Sequence, residues 1–147
     1  MSTDLPRLIG INHVALEVGG VDEALAFYGK IFSFTLRGRG KGQAFIDLGD
    51  QFLALMQTET PHRDGARHFG LVVDNRVRVR ALAEAAGAKM VDGPFVDFLD
   101  PWGNRIEIVA YADIQFSKAP NVLRGMQFPG DKRAEAKKQL AKKNMAP

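Results

Sequence analysis

The stretch NRIEIVAY, residues Asn104–Tyr111, decides how this chain is read. A carboxylate, Glu107, stands between two isoleucines in what otherwise has the pattern of a buried strand. Side chains of a strand alternate between its faces. Ile106, Ile108 and Ala110 therefore share one face, and Arg105, Glu107, Val109 and Tyr111 share the other. Either that second face meets water, or it lines an enclosed site in which Glu107 is the working anion.

Working outward, the turn DPWGN and the apolar run PFVDFL precede this strand. Further upstream, RHFGLVV alternates as a strand, with His68, Gly70 and Val72 on one face. Between them, NRVRVRALAEAAGAKM begins with an alternating pattern. Val79, Leu82, Ala83 and Ala86 nevertheless recur at helical spacing, and Gly87 suits a helix end, which predicts a helix from about Val77. The N-terminal half repeats this order. INHVALEV, residues 11–18, reads as a strand with His13, Ala15 and Glu17 on one face. Gly19-Gly20 breaks it, and Asp22 can cap the next helix. That helix, VDEALAFYGKIF, carries Ala24, Phe27, Tyr28, Ile31 and Phe32 as an apolar stripe. Strands are expected around Phe34 to Arg37, Gln43 to Leu48 and Gln51 to Met56, the last two joined by a tight turn at Gly49-Asp50.

The order βαβββ thus occurs twice. Laying the first strands over each other pairs His13 with His68, an offset of 55, and laying the last strands over each other pairs Ala54 with Glu107, an offset of 53. If the two units face each other across a shared cavity, two imidazoles and one carboxylate converge. Neutral imidazole nitrogen and anionic oxygen suit a divalent first-row ion and leave coordination positions open for a substrate. Glu107 also offsets part of the ion's charge, which makes its burial tolerable. Ala54, the symmetry mate of Glu107, cannot ligate.

Composition narrows the function classes. The chain of 147 residues, 46% apolar and 25% charged, fits one ordinary globular domain. It has no cysteine, so thiolate metal sites, disulfides and a cysteine nucleophile are excluded. No apolar run is long enough for a membrane span, and MSTDLPRLIG lacks a secretory pattern, so a cytoplasmic location is expected. The net charge of +3 comes from the tail: from Asp131 onward there are six basic and two acidic residues, leaving fourteen and fifteen for the rest. That tail has no aromatic residue, which argues against nucleic-acid binding. It reads as a solvated, flexible or helical appendage whose removal after Gly130 leaves the fold intact.

The stretches INHVALEV, VDEALAFYGKIF, RHFGLVV and DPWGNRIEIVAY, within residues 8–112, resemble the vicinal oxygen chelate superfamily of glyoxalases, bleomycin-resistance proteins and extradiol dioxygenases. The resemblance implies an α+β fold: two βαβββ modules, at about 8–57 and 65–112, forming an open mixed β-barrel with flanking helices, usually in a homodimer. It places metal ligands at His13, His68 and Glu107, with one divalent ion (Fe2+, Mn2+, Ni2+ or Zn2+) and a small-molecule substrate. A fourth ligand position, Glu or Gln in typical glyoxalase I, falls on Ala54. The extradiol dioxygenases imply an extra acid/base His, for which the only spare is His62, expected at the surface. The fosfomycin enzymes imply a Thr where Ala15 stands and an Arg beyond Glu107 that this chain lacks. The branch stays open between a glyoxalase-like lyase or isomerase and a dioxygenase, with a non-catalytic drug-binding protein of the bleomycin-resistance type as the alternative. Glu17 and Tyr111 are the candidate catalytic groups, and Arg105 and Tyr111 the candidate substrate contacts. Trp102 is expected to pack or to touch a partner. Residues 113–130 are expected to pack on the body through Ile114, Phe116, Val122, Leu123 and Met126, ahead of the basic tail at 131–147.

Overall fold

The computed structural model describes residues 11–147. The first module runs β1 (His13–Val18), α1 (Val21–Gly29), β2 (Leu36–Gly40), β3 (Gln43–Asp47) and β4 (Phe52–Gln57). The second runs β5 (Phe69–Val73), α2 (Arg76–Ala85), β6 (Lys89–Val91), β7 (Val96–Leu99) and β8 (Arg105–Ala110). Each module makes one four-stranded mixed sheet, in the orders β1-β4-β3-β2 and β5-β8-β7-β6. The first strand of each module lies parallel to the last, because the helix carries the chain back across the sheet. The two registers agree with the offsets of the repeat: Ala15 lies opposite Ala54, and Gly70 opposite Glu107.

The fold is thus α+β with two βαβββ modules. Among the described residues no strand of one sheet pairs with a strand of the other, so the barrel is not closed through backbone hydrogen bonds. What joins the modules is a shared core. Leu16, Val18, Phe27 and Tyr28 from the first module pack in one cluster with Leu71, Phe98, Ile106 and Ile108 from the second. The rings of Phe27 and Phe98 lie 6.4 Å apart across that junction. Alternation explains the layout. In β1, Leu16 and Val18 are buried while His13, Ala15 and Glu17 are exposed. In β8, Ile106, Ile108 and Ala110 are buried while Arg105, Glu107 and Val109 are only half so. Each sheet spends one face on the helices and leaves the other open.

Local details differ from the sequence reading in several places. Asp22 lies inside the first turn of α1 and not at its N-cap, which is Gly20. There it complements the helix dipole and pairs with Arg39. The helix α2 starts one residue before Val77, capped by Asn75, whose Oδ1 accepts a 3.1 Å bond from the Arg78 amide. Gly87 follows its end with φ +85°, the left-handed geometry a helix stop requires. Strand β2 falls two residues later than expected at its start.

Beyond β8, a single 3-10 turn (Tyr111–Asp113) leads into α3 (Pro120–Met126) and α4 (Ala134–Ala141). The α3 helix lies close against the β3–β4 turn, where a Cβ on Gly49 would come within 2.6 Å of the Met126 sulfur. The basic tail is less solvated than its composition suggests. Ala136 and Leu140, four residues apart on α4, are buried. The Lys132 ammonium is enclosed by the carbonyls of Tyr111 (2.6 Å), Ile114 (2.9 Å) and Phe116, and sits 3.4 Å from the centre of the Tyr111 ring. Burial lowers the pKa of this amine. These contacts tie the tail to the segment before it. Among the described residues no helix is long and apolar enough to cross a membrane.

Candidate metal centre

His68 ends the linker and immediately precedes β5, so its ring projects over the open face of the second sheet. Its Nδ1 lies 2.8 Å from the Ala66 carbonyl oxygen, which can only accept, so Nδ1 carries the proton. The other nitrogen, Nε2, faces Glu107 Oε2 at 3.3 Å. In the neutral imidazole this puts a nitrogen lone pair against a carboxylate, an arrangement that favours a cation or a proton between them. Metal-binding histidines are held in the same way, with the second ring nitrogen donating to a carbonyl.

Glu107 has two cross-strand neighbours, Gly70 on β5 and Asp97 on β7. Gly70 carries no side chain, which leaves room beside the Glu107 carboxylate. Asp97 is 6% exposed, and its Oδ1 has no hydrogen-bond partner among the described residues. Its Oδ2 takes the Arg105 guanidinium, at 3.0 Å from Nε and 2.9 Å from Nη2. Two carboxylates thus stand side by side with one guanidinium between the strands as counter-charge. Asp97, beside Glu107 in the register, adds a second anion to the second module, and the imidazole nitrogen and carboxylate oxygen of His68 and Glu107 are donor types that suit a divalent cation.

His13 occupies the equivalent place in the first module. Its ring stacks on Phe52, its cross-strand neighbour, with centroids 4.6 Å apart and planes 8° from parallel. Its Nδ1 lies 2.9 Å from Asn12 Oδ1, which leaves Nε2 outward. The His13 ring does not complete the pair on the second module. Among the described residues no three His, Asp or Glu side chains come together closely enough to hold an ion.

The remaining predicted residues have local tasks. Glu17 sits four positions along β1 from His13, about 13 Å away. It accepts a 2.8 Å bond from the His62 amide and lies 3.2 Å from the His62 ring. The amide bond is the main reason its pKa lies below the usual carboxylate value. His62 itself is exposed, in the linker. Arg105 is committed to Asp97 and to the Gly65 carbonyl at 3.0 Å. Tyr111 is buried at the end of β8, and its hydroxyl accepts from the Lys118 amide at 3.1 Å. Trp102 packs against the core, close over Gly19. Ala54 is buried beside β1.

A sequence profile of the Glyoxalase/Bleomycin resistance protein/Dioxygenase superfamily matches residues 10–108. The chain belongs to this superfamily. Solved structures of similar fold include the genomically encoded fosfomycin resistance protein FosX from Listeria monocytogenes, 16% identical with a TM-score of 0.60, covering 71% of this chain and 94% of that one. A putative glyoxalase family protein from Bacillus anthracis is 22% identical with a TM-score of 0.58, covering 72% and 98%. A mutant of the Listeria protein, crystallised with Mn(II) and 1S,2S-dihydroxypropylphosphonic acid, is 16% identical with a TM-score of 0.60, covering 69% and 90%. At these identities the likeness is one of fold.

Two residues escaped the sequence reading. Asp97 carried the same signal as Glu107, an acid inside an apolar run, in PFVDFL. Asp100 opens the DPWGN turn and is 3% exposed. Its Oδ1 accepts from the amides of Trp102 and Asn104, each at 2.9 Å, and its Oδ2 from Asn104 Nδ2 at 2.8 Å.

Proposed function

We propose that this protein is a divalent-metal-dependent enzyme of its superfamily, acting on a small molecule that offers two neighbouring oxygens to one ion. In this reading His68 and Glu107 of one copy hold the ion together with His13 of a second copy, in a homodimer. The observation that carries it is the His68–Glu107 pair, in which a pinned imidazole turns its free nitrogen onto a carboxylate at 3.3 Å.

Two features support the second copy. His13 has its own Nδ1 occupied by Asn12 and its Nε2 turned outward, yet finds no ligand partners among the described residues. The sheet faces that bear His13 and Glu107 are the uncovered ones, and they carry apolar side chains such as Phe45, Phe52, Met56, Val72 and Val109 that gain from being covered. Fe2+, Mn2+, Ni2+ and Zn2+ all suit this nitrogen and oxygen set, and the FosX mutant crystallised with Mn(II) makes Mn2+ a sensible first ion to try.

The bound ion would act as a Lewis acid on the chelated oxygens of the substrate. Glu107 partly neutralises the ion, and the two histidines orient it through their backbone and amide anchors. Asp97 holds Arg105 and keeps negative charge behind Glu107. Glu17 with His62 is the carboxylate–imidazole pair nearest in type to an acid/base group, on the same face as His13. A non-catalytic drug-binding role is the second reading. It is favoured by Ala54 and by the commitment of Arg105 and Tyr111 to internal bonds.

The test is isothermal titration of chelator-treated protein with Mn2+. Near-stoichiometric binding that is lost in both His68→Ala and Glu107→Gln supports the metal reading. Absence of binding for all four ions would sink it.

A further inference from the structure

The modules and the C-terminal extension enclose a cleft of about 950 Å³ that the metal reading does not use as such. Its walls include α1 and its following loop (Tyr28, Phe32), β5 with α2 (Phe69, Leu82) and the extension (Phe116, Phe128), together with strands β1, β3 and β4 of the first module. Eight of the thirteen aromatic residues of the chain line it. Tyr28, Phe32, Phe34 and Phe69 are shared with the core, whereas Phe52, Tyr111, Phe116 and Phe128 stand outside its cluster.

The Tyr28 hydroxyl donates to Asp100, so its proton is committed, whereas the Tyr111 hydroxyl accepts from the Lys118 amide and keeps its own proton to donate. Lys118, although it lines the cleft, pairs with Asp50. The charges left on the rim, Asp47 and Asp74 against Arg78, nearly balance. A volume of this order is that of a small-molecule site, since such pockets run to roughly 300–1,000 Å³.

We infer that this cleft binds a flat, uncharged, largely apolar molecule, and that the C-terminal extension builds the wall that closes over it. Aromatic walls favour such a ligand through offset and edge-to-face ring contacts, and a rim of mixed sign, with Asp47 and Asp74 beside Arg78, gives an ionic ligand no field of one sign. The extension lies beyond residue 108, where the superfamily match ends, so this wall is a feature of the chain outside that match. Lys132 in its carbonyl cage and Lys118 on Asp50 fasten it. The inference stands on the cleft and not on the ion, although His13 and His68 border the same space.

The test uses the neutral fluorophore N-phenyl-1-naphthylamine with the full-length protein. The expected result is saturable, blue-shifted emission at about one probe per chain. Leu82→Trp, which fills the cleft from α2, should weaken binding at least about tenfold, whereas Val77→Trp on the exposed face of α2 should not. Phe116→Ala, on the extension, should also weaken it, which covers the case that Leu82→Trp fails to fold. Binding should persist in Glu107→Gln, whose side chain does not line the cleft, so loss of metal binding and loss of probe binding report on separate readings. Non-saturable emission, or affinity unchanged in both cleft variants, would overturn the inference. So would release of the probe on dimerisation, which would assign the cleft to a second copy.

Discussion

The hydroxyl of Tyr28 donates a 2.6 Å hydrogen bond to Oδ2 of Asp100, joining the helix of the first module to the β7–β8 turn of the second. Both groups are buried. Asn104, held by Asp100, donates in turn to the Glu17 carbonyl on β1 at 2.8 Å. One turn of the second module thus fixes a helix and a strand of the first.

Removing this hydroxyl should show in stability and in its pH dependence. Tyr28→Phe leaves one Asp100 lone pair unsatisfied and should cost about 1–3 kcal/mol in urea denaturation. Burial first, and then the Asp100 charge, raise the Tyr28 pKa well above its ordinary value. The folded state therefore retains the phenolic proton when the unfolded state loses it. That stability is complete below about pH 10 and is lost as pH rises through the folded pKa. Wild type should weaken with alkalinity above about pH 10, with a slope reduced in Tyr28→Phe. Equal slopes would show that Tyr28 is not the group responsible.

Two glycines separate backbone strain from crowding. Gly87 and Gly103 have φ of +85° and +90°. A Cβ on Gly87 meets nothing, whereas one on Gly103 would lie 2.9 Å from the Arg63 Cα. Gly87→Ala should cost about 1–2 kcal/mol, and Gly103→Ala about 2–5 kcal/mol, because overpacking adds to strain. Thermal melts of the two variants decide. A smaller loss for Gly103→Ala would mean that the linker does not seat on this turn.

Asp97 predicts an effect on the ion without contact with it. It is the cross-strand neighbour of Glu107 and offsets the Arg105 guanidinium, which would otherwise stand uncompensated beside the ion. Asp97→Asn should reduce Mn2+ affinity about tenfold in calorimetry, in protein whose circular dichroism is unchanged. Unchanged affinity would make Asp97 an anchor for Arg105 and nothing more.

The basic tail supplies a fourth case. Lys132→Met removes the donor shared by three carbonyls and should cost about 1–3 kcal/mol, with faster proteolysis between Tyr111 and Pro120. Lys137→Met, at an exposed position, should be silent. Equal proteolysis rates would restore the picture of a loosely attached tail.

Much of this was legible in the sequence because local periodicity reports which face is buried. The alternation in INHVALEV and NRIEIVAY located the faces of β1 and β8, and the two offsets of the repeat are the registers Ala15–Ala54 and Gly70–Glu107. The proximity of His68 to Glu107 followed from that register. The position of His13 did not, because how two modules sit against each other depends on side-chain packing between Phe27 and Phe98, which no period encodes. Strand β6 has only three residues and follows a helix, too short to alternate visibly. In the tail the i, i+4 pair Ala136 and Leu140 was the signal, masked by the surrounding lysines.

The central claim is that one ion takes His13 from one copy and His68 with Glu107 from another. It is tested by mixing His13→Ala with Glu107→Ala, dissociating and reassociating the subunits, and measuring bound Mn2+. Each variant alone should bind none. The mixture should regain roughly one ion per four chains, because half of the dimers are mixed and each mixed dimer rebuilds one intact site. If the mixture stays as empty as its parents while wild type binds, the ligands come from a single chain and the account is wrong.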